Sequence, residues 1–520
     1  MKFIKGASRE QLVLIPENID ALIGKENEIR MIDLFVDALQ LKDYSFVIKE
    51  TLEGRPAYHP KDLLKLYIYG YLNSVRSSRK LEMECHRNIE VMWLLKQLSP
   101  DHNTISNFRR DNEKAIRKVF RATVKLAQHF ELIGGALVAG DSTKLRAQNS
   151  KKNNFNPKKI ERHLEYIEAK LDQYNGELAA ADGDVLKETD AKQNIAKQLQ
   201  RKAFYKDLTT QLEQTGETQI STSDPESRQL ITRNNITEVA YNVQTVVDAK
   251  HCIPIDYKVT NENDSKAMGA MLRRAKTILG KTDFTAIYDK GYHTGSEIKA
   301  GLEMGIDVMV AIPDVASHAP DIAYDVAHFL FDNENDFYTC PQGKILDTNG
   351  RWYKKDRGKS FTMVKHYKSK ECLSCPAFAL CTKNKEGRLI ERSEHAPYIE
   401  QNRQNIEKNY QTYKRRQAIV EHPYGIIKRQ WGFYYIMTKR SKQRACADVG
   451  LIFTAFNLRR IFNIIDPKLL KKFLKELALF ISAKRLLLKL KLAFLSPYFF
   501  ANIYCNLLLV SLKNTYNKSN

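Results

Sequence analysis

Twice along this chain a short apolar run ends on an aspartate. Ala136-Leu137-Val138-Ala139-Gly140-Asp141 is the first and Phe284-Thr285-Ala286-Ile287-Tyr288-Asp289 the second. Apolar runs of this length read as buried strands, and each carboxylate would emerge at a strand end. Further strand-like stretches lie at 238–248, 253–259 and 306–313. Helical ones lie at about 265–279, where Met268, Met271, Leu272, Ala275 and Ile278 share a face, and at 295–304. The order strand, two strands, helix, strand, helix, strand predicts an α/β domain with a mixed sheet.

The stretch 158–214 interrupts this pattern. Ile160, Leu164, Ile167, Leu171, Tyr174 and Leu178 recur in alternating steps of four and three, the seam period of paired helices. Asp182-Gly183 supplies a turn, and Ile195, Leu199, Leu208 and Leu212 mark a returning helix. A helical hairpin spanning 156–216 is therefore expected inside the sheet domain. Residues 1–130 read as a helical domain, with helices at 62–72 after Pro60, 78–87 and 90–97. After the break Ser99-Pro100-Asp101, the polar segment from His102 to Arg110 has the spacing of a helix-turn-helix DNA reader, with Arg109 and Arg110 as contacts. Residues 131–313 and 401–465 are assigned to the sheet domain. Residues 314–400 read as an irregular, turn-rich insertion, and 466–520 as a helical tail.

Charge narrows the function. Lys and Arg number 83 against 61 Asp and Glu, a net charge of +22, which points to a polyanionic partner and above all to nucleic acid. A hydrophobic content of 43% excludes a disordered chain. Eight cysteines in this length make no disulfide scaffold, and the N-terminus lacks the apolar run of a signal peptide, so a reducing, cytoplasmic setting near the nucleoid is expected. Leu492–Leu512 is uncharged and long enough to span a bilayer, but it contains Pro497, Asn502 and Asn506. Packed helices without stable membrane association are the expectation.

Carboxylates gathered at one sheet edge suit phosphodiester chemistry. Two hard cations about 4 Å apart can activate the attacking oxygen and neutralise the leaving one, and Mg²⁺ asks the protein for only a few oxygen ligands. Asp141 is followed by Lys144 and Arg146, and Asp289 by Lys290 and His293, a basic rim fit for a DNA path. The stretch Ala418-Ile419-Val420-Glu421-His422-Pro423-Tyr424-Gly425-Ile426-Ile427-Lys428-Arg429-Gln430-Trp431-Gly432-Phe433 resembles the glutamate motif of insertion-sequence transposases of the DDE superfamily. Ala139–Lys144 is similar to their first aspartate motif and Ile287–Tyr292 to their second. Tyr241–Gln244 through Asp248, and Asn457-Leu458-Arg459-Arg460, also look familial, so that the resemblance covers about residues 55–465.

This resemblance implies an RNase H-like catalytic core in which Asp141, Asp289 and Glu421 hold two Mg²⁺ (or Mn²⁺) ions. It further implies binding of terminal inverted repeats, metal-dependent strand cleavage and strand transfer into target DNA, and action as a homodimer on DNA. Lys428 stands seven positions after Glu421, as in these enzymes. Their tyrosine and arginine before the glutamate are matched less well, since Tyr413 and Arg416 sit one residue too far away. On a regular helix that turns them about 100° off the carboxylate face, while Pro423 marks a kink or a fresh start.

Cys372 and Cys375 form a knuckle, and with Cys381 and Cys340 they offer four thiolates, the set for a structural Zn²⁺ site; the alternative is four reduced, unliganded thiols. Related transposases carry a similar cluster. Two other functional readings stay open: an RNase H-like nuclease or resolvase that cuts without joining, and a catalytically inactive, basic, zinc-containing DNA-binding protein.

Overall fold

Local signals set the helix starts. Pro60 occupies the first turn of Pro60–Leu72, where its missing N–H costs nothing, and His59 caps it. Asp101 caps His102–Asp111, accepting from the amides of Asn103 at 2.9 Å and Thr104 at 3.1 Å. The computed structural model describes residues 18–47, 56–231, 236–314, 319–356, 361–438 and 440–479. Leu492–Leu512 lies outside the described residues, among which no helix is long and apolar enough to cross a membrane.

Two compact units divide the chain. Met1–Leu132, Arg146–Ser227 and Ile427–Asn520 make the first; Ile133–Leu145 and Arg228–Ile426 make the second. In the first, Lys442–Ile464 is buried around most of its circumference. Such a helix needs neighbours on several sides, and Glu113–His129, Pro60–Leu72 and His102–Asp111 supply them. Near its start the buried Asp448 pairs with Arg76 at 3.5 Å and Arg109 at 3.6 Å, and accepts hydrogen bonds from the Tyr71 hydroxyl and the Met437 amide. A carboxylate withdrawn from water requires partners of this kind.

The helical hairpin also belongs to this unit, as Pro157–Ala179 and Val185–Thr215, sealed by Phe155, Ile160, Ile167, Leu171, Tyr205, Leu208 and Leu212. Leu199, expected on that seam, is exposed. The hairpin and Lys442–Ile464 thus depart from the sequence reading, which put both in the sheet domain. An all-round apolar helix packs best in a helical shell.

The second unit is built on a mixed six-stranded sheet of β1 (Leu137–Arg146), β2 (Arg228–Ile231), β3 (Thr237–Asp248), β4 (Ile253–Thr260), β5 (Thr285–Tyr288) and β6 (Asp307–Val310). β1, β5 and β6 run parallel and side by side; β3 flanks β1, and its far edge pairs antiparallel with β2 and then β4. Side chains alternate between the two faces. Leu137, Ala139, Val247, Ile287 and Met309 share one face, against which Ile419 and Val420 of the helix Arg416–Gly425 pack. Val308, of opposite parity, meets the helix Gly295–Glu303 so closely that a Cβ on Gly301 would come within 2.5 Å of it. The outer edge of β6 is closed by a side chain. Asn402, on the helix Ala396–Lys408, accepts from Val310 N at 2.7 Å and donates to Val310 O at 2.8 Å.

The described residues between 314 and 400 are not irregular. β7 (Leu330–Asp332), β8 (Phe337–Thr339), β9 (Ile345–Asp356), β10 (Phe361–Lys368) and β11 (Ile390–Ser393) form an antiparallel meander around Phe329, Tyr338, Leu346, Tyr367 and Ile390.

Candidate active site

β1 and β5 pair Leu137 with Thr285, Val138 with Ala286 and Ala139 with Ile287. Two more steps in that register bring Asp141 level with Asp289. By alternation both carboxylates continue the face of Ala139 and Ile287, where the helix Arg416–Gly425 packs. Gly140 lies between: a Cβ there would sit 1.9 Å from the Tyr288 ring, so the close approach of the two strands requires glycine. Asp289 also caps the short turn Lys290–Tyr292, accepting from Gly291 N at 2.9 Å.

Burial pushes the Asp141 carboxyl up to about 6, and the negative charges of Asp289 and Asp264 add to this; the Ser142 amide and Arg416 oppose it. Arg416 reaches Asp141 Oδ2 at 3.3 Å, and Tyr413 donates to the Tyr288 carbonyl at 3.2 Å. Sequence spacing had turned both away from the carboxylate face. The helix is broken at Arg415, between Tyr410–Lys414 and Arg416–Gly425, so the regular 100° step does not carry through. Tyr424, two turns on from Arg416, shares a hydrogen bond with Thr245 at 2.5 Å and donates to the Asp141 carbonyl at 3.1 Å.

Glu421 rides on the same helix, exposed, its carboxylate accepting from Gln417 at 3.0 Å. Among the described residues no three His, Cys, Asp or Glu side chains are close enough together to hold a metal ion. Asp141 and Asp289 are therefore brought together and Glu421 is not gathered with them. Pro423 sits inside the helix, which runs on into a π-helical turn, Ile426–Gln430, carrying Lys428. A proline there removes one backbone donor and disturbs the ladder.

The expected basic rim is engaged in several ways. Lys144 pairs with Asp264 at 3.1 Å and donates to Ser142 Oγ at 2.8 Å. Lys290 is exposed beside Asp314 at 3.7 Å. His293 has its Nε2 buried without a hydrogen-bond partner, and burial lowers its basicity. Arg146 has an exposed side chain on the first unit, where its backbone bridges to Tyr434 and Ile436. Arg110 is held by Asp111 at 2.6 Å. Arg109, expected as a DNA contact, is 4% exposed, and beyond Asp448 it donates at 3.0 Å to both Tyr71 OH and Arg76 O. Its helical position one turn from the buried Ile105 placed it in the core.

Asp264 is a group that the sequence reading missed. Its Oδ1 accepts from Asn242 Nδ2 at 2.7 Å and Gln244 Nε2 at 2.6 Å; although burial opposes it, Lys144 and these donors hold its carboxyl below the usual range. Asp264 lies in a polar turn that reads as solvated loop. The available signal was Asn242 and Gln244 themselves, amides on an otherwise apolar buried strand that must find partners.

Cys340, Cys372, Cys375 and Cys381 are free thiols lining one cavity of about 30 Å³ with Phe329, Leu346 and Arg388. Burial raises the Cys381 thiol above its usual range; Arg388 opposes this and the other three cysteines add to it. Lys344 N points at Cys340 Sγ at 3.3 Å, and Gly387, in the left-handed region at φ +97°, lets the chain pass against Cys372.

Two separate segments of the chain match transposase families. Residues 17–111 match a family described as a transposase domain (DUF772), and residues 339–462 match one described as a transposase DDE domain, a span that includes Glu421 and all four cavity cysteines. Among solved structures, a cryo-EM piggyBac transposase synaptic complex with hairpin DNA is similar at 10% identity, over 92% of this chain and 85% of that chain, with a TM-score of 0.33. At that level nothing about the site is carried over from it. No curated protein matches the chain.

Proposed function

We propose that the second unit's first sheet is an RNase H-like catalytic core, and that the protein binds the terminal inverted repeats of its own element, cleaves the strands and joins them to target DNA. The observation that carries this is the register of Asp141 with Asp289 on adjacent parallel strands, together with a half-buried Asp141 whose charge is poorly tolerated. Such a pair favours an added positive charge. Asp141 and Asp289 are the residues that would hold Mg²⁺ or Mn²⁺, with Glu421 as the third ligand. Two such cations, when bound, activate the attacking oxygen and neutralise the leaving one.

The chain's own groups have distinct parts in this reading. Arg416 and Tyr424 tie the glutamate-bearing helix to β1. Lys428, Lys144, Arg146, Lys290, His293 and Arg110 are assigned to phosphate contacts. The helical domain 1–130 is assigned to repeat recognition, with the protein acting as a homodimer in the cytoplasm. The four cavity cysteines are assigned to a structural Zn²⁺ on donor type and number alone, since among the described residues no three of them stand close enough together to hold an ion.

The test is a cleavage and joining assay on DNA carrying the element's ends. Asp141→Asn, Asp289→Asn and Glu421→Gln should each slow cleavage by at least about a thousandfold, the scale of losing a principal electrostatic contact, while DNA binding persists. Undiminished cleavage in any of the three would remove that residue from the site. Cleaved ends without joined product would make the protein a nuclease or resolvase.

A further inference from the structure

We infer that Asp264 is a positioning residue for this reaction, fixing Asp141 and the turn after Asp289 from behind the sheet. The inference rests on the reading of Asp141 and Asp289 given above. Asp264 Oδ1 accepts from Asn242 and Gln244 of β3, and its Oδ2 pairs with Lys144 of β1, which in turn donates to Ser142. The Ser142 amide donates to Asp141 Oδ1 at 2.6 Å. Gln244 passes the linkage on, because its Oε1 accepts from the buried hydroxyl of Tyr292, three residues after Asp289. Ser142 and Lys144 have the parity opposite to Asp141, and Asn242 and Gln244 the parity opposite to Thr245, so the clamp works from the back face.

A carboxylate is needed at this position. Two amide donors meet on one oxygen and an ammonium on the other, and an amide side chain would turn its own NH₂ against one of these donors. Groups that hold ligating carboxylates in this way commonly change metal affinity or activity by 10–100-fold when lost.

The experiment compares the full-length protein with its Asp264→Asn variant, in two measurements. The first is the rise in Tm on titrating Mn²⁺ without DNA. The second is the single-turnover cleavage rate at saturating DNA, alongside the Kd for DNA. We expect the half-saturating Mn²⁺ concentration to rise at least about fivefold and the saturating rate to fall at least about tenfold, with the Kd for DNA within about twofold of wild type. A residue that only braced the loop would lower Tm equally at every Mn²⁺ concentration, and an unmoved half-point with a wild-type rate overturns the inference. Should Asp264→Asn fail to fold, Gln244→Met removes one donor and the link to Tyr292; an unmoved half-point there overturns it equally. Asp141→Asn is the control: if it keeps both the Mn²⁺ response and cleavage, the reading of the site has failed rather than the role of Asp264.

Discussion

Arg416 Nη1 stands 3.3 Å from Asp141 Oδ2, joining the helix that carries Glu421 to the strand that carries the first aspartate. The guanidinium restrains a carboxyl that burial has already lifted to about 6. Arg416→Met should therefore raise it further, moving the acidic limb of the cleavage pH profile upward and slowing cleavage by about tenfold or more. An acidic limb that stays in place would show that Asp141 does not control it.

Asp141 should also govern stability in the absence of metal. Its folded pKa, about 6, lies above its ordinary value of 3.8, so the folded state prefers the neutral acid. The stability this contributes is present below about pH 4 and is lost as pH rises through about 6. In chelator, Asp141→Asn should be more stable than wild type at pH 7, by on the order of 2 kcal/mol, with a smaller gap at pH 5. Thermal unfolding at the two pH values decides it, and an equal gap at both would count against a raised Asp141 carboxyl.

Arg109 behaves as part of a core. Arg109→Ala strands the buried Asp448 with Arg76 as its remaining cation and should cost about 3 kcal/mol, with an unchanged salt slope for DNA binding by the folded fraction. Arg110→Ala, at the surface, should leave the melting temperature nearly unmoved. A flattened salt slope in Arg109→Ala would contradict the burial.

The contact of Gly140 with Tyr288 gives an opposed pair of predictions. Gly140→Ala drives a methyl into the ring and should cost at least about 3 kcal/mol or abolish soluble protein. Tyr288→Phe removes a buried hydroxyl that has no hydrogen-bond partner and should be neutral or stabilising by about 1 kcal/mol. Denaturant unfolding reads both, and a marked loss in Tyr288→Phe would reveal a partner for that hydroxyl.

For the cysteine cavity, freshly prepared reduced protein should contain about one Zn²⁺ per chain, and Cys375→Ser should lose it together with several degrees of melting temperature. Metal analysis without zinc would refute the site and leave four reduced thiols.

Much of the mixed sheet was legible because its strands are short, largely apolar runs, with Asp141 and Asp289 following two of them. β1, β3, β4, β5 and β6 fall where hydrophobicity alone puts them. The meander was not legible, since β9 is exposed along most of its length on both faces and shows neither an apolar run nor a clean alternation. Arg416 was misjudged by a local break at Arg415, which no periodicity argument crosses. Arg109 was misjudged because its partner, Asp448, lies 339 positions further along the chain, and a charged residue beside a polar helix end reads as solvated.

The two hydrogen bonds between Asn402 and Val310 have an architectural consequence. The chain leaves the mixed sheet at Val310 and returns to the same residue about ninety positions later, so the meander and its cysteines lie in an excursion whose two ends meet at one residue. Because the ends of this excursion are pinned together, its length and contents can change with little entropic cost and without altering where the following helices start. The segment is thus a natural graft point: foreign sequence inserted between β6 and Ala396 should leave Arg416 within reach of Asp141.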